Sequence, residues 1–171
     1  MNSGGNIIGK NRGYRATKIV TLNIQGLLNR DKYKVDHLND LAREMDPAVI
    51  CIQETWLKAN HTLTETKLQG YSEYRTIRPN RRGGGVSIYV KEGYTVLNNN
   101  EHSNEECGVI HIKVKELNTH IASIYHPPGA KVASFEDIIN KLRGWTAEEE
   151  GDLTVLGDFN IPQMDSWGSC I

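Results

Sequence analysis

Long apolar runs are missing from this chain. No stretch approaches the roughly 20 residues that a membrane-spanning helix needs, and Met1 to Ala16 is polar, without the apolar core of a signal peptide. A surplus of either charge is missing too. Lys and Arg together number 20 against 21 for Asp and Glu, a net charge of −1. No overall basic field therefore draws the protein to nucleic acid. Cysteine is scarce. Cys51, Cys107 and Cys170 are odd in number and widely spaced, which disfavours a disulfide framework and fits a reducing compartment. There is no internal repeat and no low-complexity linker. The expectation is an intracellular protein, nuclear or cytoplasmic, with a polar flexible tail over 1–16 and one folded domain over 17–171. The length of 171 residues allows a sizeable core, and the 38% hydrophobic and 24% charged fractions are those of an ordinary globular domain.

What is there is a series of apolar strands that each end in a polar residue. Leu153-Thr154-Val155-Leu156 runs into Gly157-Asp158-Phe159-Asn160. In an extended segment, positions two apart point the same way, so Asp158 and Asn160 converge. A carboxylate that accepts a proton beside an amide that donates hydrogen bonds suits work on a phosphate. A Gly-Asp turn that merely caps a strand is the competing reading. Three more strands narrow the choice. Thr17 to Gly26 delivers Asn23, Ala48 to Thr55 delivers Glu54, and Ile121 to Pro128 delivers Tyr125. Loops at strand ends carry chemistry on a rigid scaffold.

Between these strands the pattern is mixed. A helix is expected near 32–45 from Val35, Leu38, Leu41, Ala42 and Met45, stopped by Asp46-Pro47. Strands are expected at about 17–24, 48–53, 71–77, 86–90, 94–97, 107–115, 119–125 and 152–156. Ser134 is the expected cap of a second helix whose apolar stripe is Phe135, Ile138, Ile139 and Leu142. Short turns join most strands and only two crossovers carry helices. The fold class expected is α+β: two packed mixed β-sheets flanked by helices.

Leu22-Asn23-Ile24-Gln25-Gly26, Gln53-Glu54-Thr55-Trp56, Tyr125 ahead of Pro127-Pro128, and Gly157-Asp158-Phe159-Asn160, in that order, resemble the endonuclease/exonuclease/phosphatase superfamily. Arg82-Gly83-Gly84-Gly85-Val86-Ser87-Ile88-Tyr89-Val90, the Tyr-x-Pro-Pro element and Asp165-Ser166-Trp167-Gly168-Ser169 are similar to the apurinic-endonuclease-like domain of non-LTR (LINE-type) retrotransposon proteins. The resemblance runs from about Ile19 onward. It implies a Mg²⁺-dependent endonuclease, with Mn²⁺ as a substitute, that nicks DNA to leave a 3′-hydroxyl, and a reverse transcriptase elsewhere in a longer polyprotein. It also implies a closing Ser-Asp-His element, and no histidine follows Asp158. On that comparison the chain corresponds to the first two-thirds to three-quarters of the domain, with an incomplete second sheet. A DNA-binding remnant that cuts nothing, or a phosphatase or phosphodiesterase on the same scaffold, is the alternative.

The residues then take roles. Glu54 is the expected metal ligand, since Mg²⁺ prefers carboxylate oxygens. Asn23 orients Glu54 or ligates the ion through its carbonyl. Asp158 activates the water, Asn160 donates to the phosphate, and Tyr125 bonds a phosphate oxygen or else packs as an ordinary strand aromatic. His126 is expected to face solvent. Arg78 and Arg82, beside the triple glycine, are the expected DNA contacts; a solvated hairpin loop is the plainer reading. Cys51 is expected as a buried thiol.

Overall fold

The computed structural model describes residues 16–28, 33–80 and 83–160. In chain order the elements are β1 (Ile19–Asn23), α1 (Tyr33–Met45), β2 (Val49–Gln53), β3 (Tyr71–Thr76), β4 (Val86–Lys91), β5 (Val96–Ser103), β6 (Gly108–Val114), β7 (Thr119–Tyr125), α2 (Val132–Thr146) and β8 (Asp152–Asp158). They form two four-stranded sheets in the orders β1-β2-β4-β3 and β5-β6-β7-β8. Each sheet has one parallel pair, joined through a helix, and two antiparallel pairs. This is the α+β sandwich of mixed sheets expected from the sequence.

Alternation along the strands decides which side chains meet. Val49 and Cys51 of β2, Val86, Ile88 and Val90 of β4, and Ile110, Ile112 and Val114 of β6 pack between the sheets with Ile121 and Tyr125 of β7. Their neighbours point outward. Ile50, Ile52 and Tyr89 pack under Leu38 and Ala42 of α1, while Val109, Ala122 and Ile124 pack under Ile138 and Leu142 of α2. Asn23, Gln53, Tyr125 and Asp158 are the last inward positions of β1, β2, β7 and β8. The polar residues at the strand ends thus converge at one end of the inter-sheet core. Just below them Gln53 bridges the sheets, its amide donating to Ser123 Oγ at 2.8 Å while its oxygen accepts from Thr21 at 3.2 Å. Cys51 is fully buried, and burial pushes its thiol up to about 12, so it stays protonated.

Three expectations need correction. β5 extends to Ser103 rather than ending near 97. Its Asn98-Asn99-Asn100-Glu101 stretch carries little apolar signal because it is an edge strand, and backbone pairing with β6 holds it. The second helix starts at Val132. Its N-cap, Lys131, makes no side-chain capping bond, and Ser134 is instead buried with its hydroxyl donating to the Lys131 carbonyl at 2.6 Å. The last strand continues through Asp158, because Ile124↔Gly157 and Tyr125↔Asp158 remain in register. The tail expected over 1–16 lies outside the described residues except for Ala16.

A buried histidine pair underlies α2. His111 Nε2 lies 2.9 Å from His120 Nδ1, the rings stack, and Trp145 of α2 lies over His111. Burial above all, then the neighbouring His120 and Lys113, pushes His111 from 6.5 to about 4. As pH falls from 6.5, the unfolded chain takes up this proton before the folded one does, so the stabilisation present above 6.5 is lost on the way down to about 4. Urea-unfolding free energy should decline across that window, and His111→Phe, which keeps a ring under Trp145, should flatten the decline. An equally steep decline in the variant would remove His111 as its source.

Candidate active site

The turn after β2 is built against local preference. Glu54 and Trp56 both adopt φ 54°, in the left-handed region that non-glycine residues seldom occupy, and Gln25 in the facing turn has φ 49°. Backbone bonds hold this shape from both sides. Gly26 and Leu27 donate to the carbonyls of Glu54 and Thr55 at 2.7 and 2.9 Å, and Trp56 donates to Gly84 at 2.9 Å. Strain held this way marks functional turns. Here it aims the Glu54 side chain back over the inter-sheet core.

There the two acids meet. Asn23 Nδ2 donates to Glu54 Oε1 at 2.8 Å and to Asp158 Oδ2 at 2.7 Å. The two carboxylate oxygens are therefore no farther apart than those bonds laid end to end, 5.5 Å. Trp56 Nε1 donates to the other Glu54 oxygen at 3.2 Å. Among the described residues neither carboxylate is ion-paired. The two carboxylates, bridged by a neutral amide, form an electronegative spot whose charge a cation would offset.

Gly157 explains how Asp158 reaches this spot. A Cβ at Gly157 would overlap the Ile124 carbonyl oxygen and lie 2.9 Å from Ile124 C and N. Only glycine lets β8 approach β7 closely enough to keep register to its end. Tyr125, opposite Asp158, is 5% exposed. Burial first, then the charge of Glu54, raises its phenol above the usual range, Arg78 opposes and Asp158 adds. Tyr125 therefore remains a protonated donor. Asn160 has φ 41° and turns its amide to the His126 carbonyl at 3.1 Å; its second N–H is left for another acceptor.

The sequence places Asn23, Glu54, Asp158 and Asn160 together with Tyr125 at their rim; the structure joins Asn23, Glu54 and Asp158 through hydrogen bonds and sets Tyr125 opposite Asp158. Asn23 presents its nitrogen to both acids. Asn160 is beside the cluster but bonded away from it. Arg78 and the Tyr125 ring both lie close to Gly84, and the Arg78 guanidinium donates to the Glu105 carbonyl, from Nε at 2.8 Å. Arg82 and Asp165-Ser166-Trp167-Gly168-Ser169 lie outside the described residues. Sequence reasoning misses two contributors. Trp56 steers Glu54, and its position directly after Glu54-Thr55 is the available signal. His126, expected in solvent, is 1% exposed and sits under the site loop.

Beside Glu54 opens a groove of about 730 Å³ walled by Trp56, Lys58, His61, Arg78 and Asn80. No acidic residue lines it among the described residues. A second cleft of about 540 Å³, between α1 and the β3–β4 strands, holds Asp36, Asp40 and Asp46. Arg43 pairs with Asp40 and Lys91 with Asp46 there, so these two acids already have basic partners. No described helix is long and apolar enough to cross a membrane.

The sequence pattern of the Endonuclease/Exonuclease/phosphatase family matches residues 20–169. Three solved structures are similar in fold. TDP2 from C. elegans aligns with a TM-score of 0.64 and 18% identity over 84% of this chain and 48% of that one. A Neisseria 3′ phosphatase, NExo, bound to a product DNA hairpin, aligns at 0.66 and 16% over 88% and 60%. The AP endonuclease LMAP from Leishmania major aligns at 0.61 and 19% over 87% and 56%. The chain spans about half the length of the first of these proteins and somewhat more of the others.

Proposed function

From the premise that this chain belongs to the Endonuclease/Exonuclease/phosphatase family, we propose that it is a Mg²⁺-dependent endonuclease domain that nicks DNA by hydrolysing a phosphodiester. The observation that carries the reading is the pair of carboxylates, Glu54 and Asp158, bridged by the Asn23 amide at the shared end of two parallel strand pairs. The donor set suits a hard divalent ion. No group of three or more His, Cys, Asp or Glu gathers among the described residues, and Mg²⁺ is typically held by one or two carboxylates, water and substrate phosphate. Glu54 would hold the ion, with Asn23 fixing its rotamer. When bound, the ion supplies positive charge that offsets the phosphate and the leaving oxygen.

The chain's own groups divide the remaining work. Asp158, oriented by Asn23, accepts the proton of the attacking water. Tyr125 donates to a phosphate oxygen as charge builds there, and the second N–H of Asn160 does the same. Lys58 and Arg78 on the wall of the groove supply positive charge for a polyanion. DNA is favoured among phosphodiesters by this groove and by two similar structures, one bound to a DNA hairpin and one an AP endonuclease. The Tyr-x-Pro-Pro and triple-glycine elements support a role in retrotransposition, in which the new 3′-hydroxyl primes a reverse transcriptase carried on a longer polyprotein. Mn²⁺ would serve in place of Mg²⁺, and action on DNA inside the cell, in nucleus or cytoplasm, goes with this role.

Metal titration tests the assignment. Glu54→Gln should weaken Mg²⁺ binding more than Asp158→Asn does, because Glu54 is the direct ligand and Asp158 acts on the water. Isothermal calorimetry on the two variants decides it, and equal losses would merge the two roles.

A further inference from the structure

His126 is bonded to the site loop through both its main chain and its ring, yet the ring itself bonds none of the side chains assigned to the reaction. Its main-chain N–H donates to the Asp158 carbonyl at 2.9 Å. Its Nδ1 lies 3.0 Å from the Phe159 carbonyl. A carbonyl can only accept, so this bond belongs to the tautomer that carries its proton on Nδ1. Its own carbonyl accepts the Asn160 side-chain amide at 3.1 Å. On the far side of the ring, Nε2 lies 3.0 Å from Ser134 Oγ and 3.3 Å from the Lys131 carbonyl, at the first turn of α2. The ring is edge-on to Phe135, and Phe135 is edge-on to Phe159. One buried residue thus ties three consecutive residues, the last of β8 and the two after it, to the start of a helix.

We infer that His126 is a positioning residue that sets the directions of Asp158 and Asn160. The geometry gives the reason. Asp158 is the last residue of β8, and its carbonyl is held by the His126 backbone while its carboxylate is held by Asn23. After it the chain turns sharply, and Asn160 sits in the left-handed region at φ 41°. Without the bond to the Phe159 carbonyl, nothing else among the described hydrogen bonds fixes the peptide between Phe159 and Asn160. The ring does not donate to the site; it holds the stretch of backbone from which both functional side chains project. Residues that orient catalytic groups in this way typically contribute about tenfold to hundredfold in activity.

This inference rests on the proposed nuclease reading, and two readouts separate their fates. His126→Ala and His126→Asn are compared with the unaltered chain by hydrogen–deuterium exchange and by Mg²⁺-dependent DNA nicking. Asparagine places an N–H where Nδ1 was but loses the bonds of Nε2. Loosening of the 158–160 segment in His126→Ala should be read as faster exchange at the adjoining β8 end of the β7–β8 ladder, residues 157–158, while β1, β2 and the Mg²⁺ affinity set by Glu54 stay as they were. The kcat should fall by about 10- to 100-fold with KM nearly unchanged, and His126→Asn should recover a large part of the loss. If His126→Ala does not fold cooperatively, His126→Asn alone carries the comparison, with intermediate exchange and kcat expected. Unchanged exchange over 157–158, or unchanged kcat in an active enzyme, overturns the inference. An unaltered chain that nicks nothing sinks the nuclease reading, and the exchange result still decides whether His126 clamps the loop.

Discussion

Asp158→Asn is expected to lower the rate of Mg²⁺-dependent DNA nicking by about 10²–10⁴, the usual worth of one positioned acid–base group. The substitution is conservative in shape. Asparagine keeps an oxygen that accepts from Asn23 Nδ2, now 2.7 Å from Asp158 Oδ2, so the bridge to Glu54 survives. What disappears is the basic carboxylate. The loss should therefore fall on kcat and on kcat/KM alike, with the affinity for DNA almost constant, the signature of an interaction made only in the transition state. Single-turnover nicking at saturating enzyme isolates this step. A KM that rises about a hundredfold with kcat intact would make Asp158 a binding residue.

Gly157→Ala is expected to damage both stability and chemistry. The added Cβ would occupy the place of the Ile124 carbonyl oxygen, and glycine's φ of 151° is itself one that other residues rarely adopt. Backbone cannot swing aside as the end of a long side chain can. The β7–β8 pairing must open from Ile124↔Gly157 onward, carrying Asp158 away from Asn23. A cost of about 3 kcal/mol is at the upper end of ordinary overpacking, and for a chain of this size it lowers Tm by roughly 6–12 °C. Gly144 is the control. It lies in α2, and a Cβ placed there would meet nothing within 4 Å, so Gly144→Ala should gain about 0.5–1 kcal/mol. Scanning calorimetry of the two variants should move Tm in opposite directions. A Gly157→Ala protein with unchanged Tm and full activity would show that β8 has room that its backbone geometry denies.

The strand framework is legible because buried strands announce themselves twice, by an apolar run and by the polar residue that ends it. Asn23, Glu54, Tyr125 and Asp158 stand out that way, and Asn23, Tyr125 and Asp158 prove to be the last inward side chains of β1, β7 and β8. Glu54 reaches the same place by a different route. It follows the last inward residue of β2, Gln53, and a left-handed turn swings it inward. No residue type encodes that turn: it comes from bonds to Gly26, Leu27 and Gly84, all remote from it in sequence. β5 runs longer than its sequence suggests because an edge strand of asparagines has backbone pairing but no apolar face. His126 misleads for a similar reason. A histidine before two prolines carries no pattern, and its burial arises from α2 and β8 closing over it from opposite sides. The resemblance to LINE-type domains is one of sequence motifs, and two of them, Arg82 and 165–169, fall outside the described residues.

Relaxation of supercoiled plasmid to open circles in Mg²⁺ tests the central claim most directly. The unaltered chain should produce open circles, excess EDTA should stop the reaction, and Asp158→Asn should slow it by about 10²–10⁴ at equal DNA occupancy. Binding of plasmid without any nicking, or nicking that persists at full rate in Asp158→Asn, would contradict the assignment of hydrolysis to the Glu54–Asn23–Asp158 cluster.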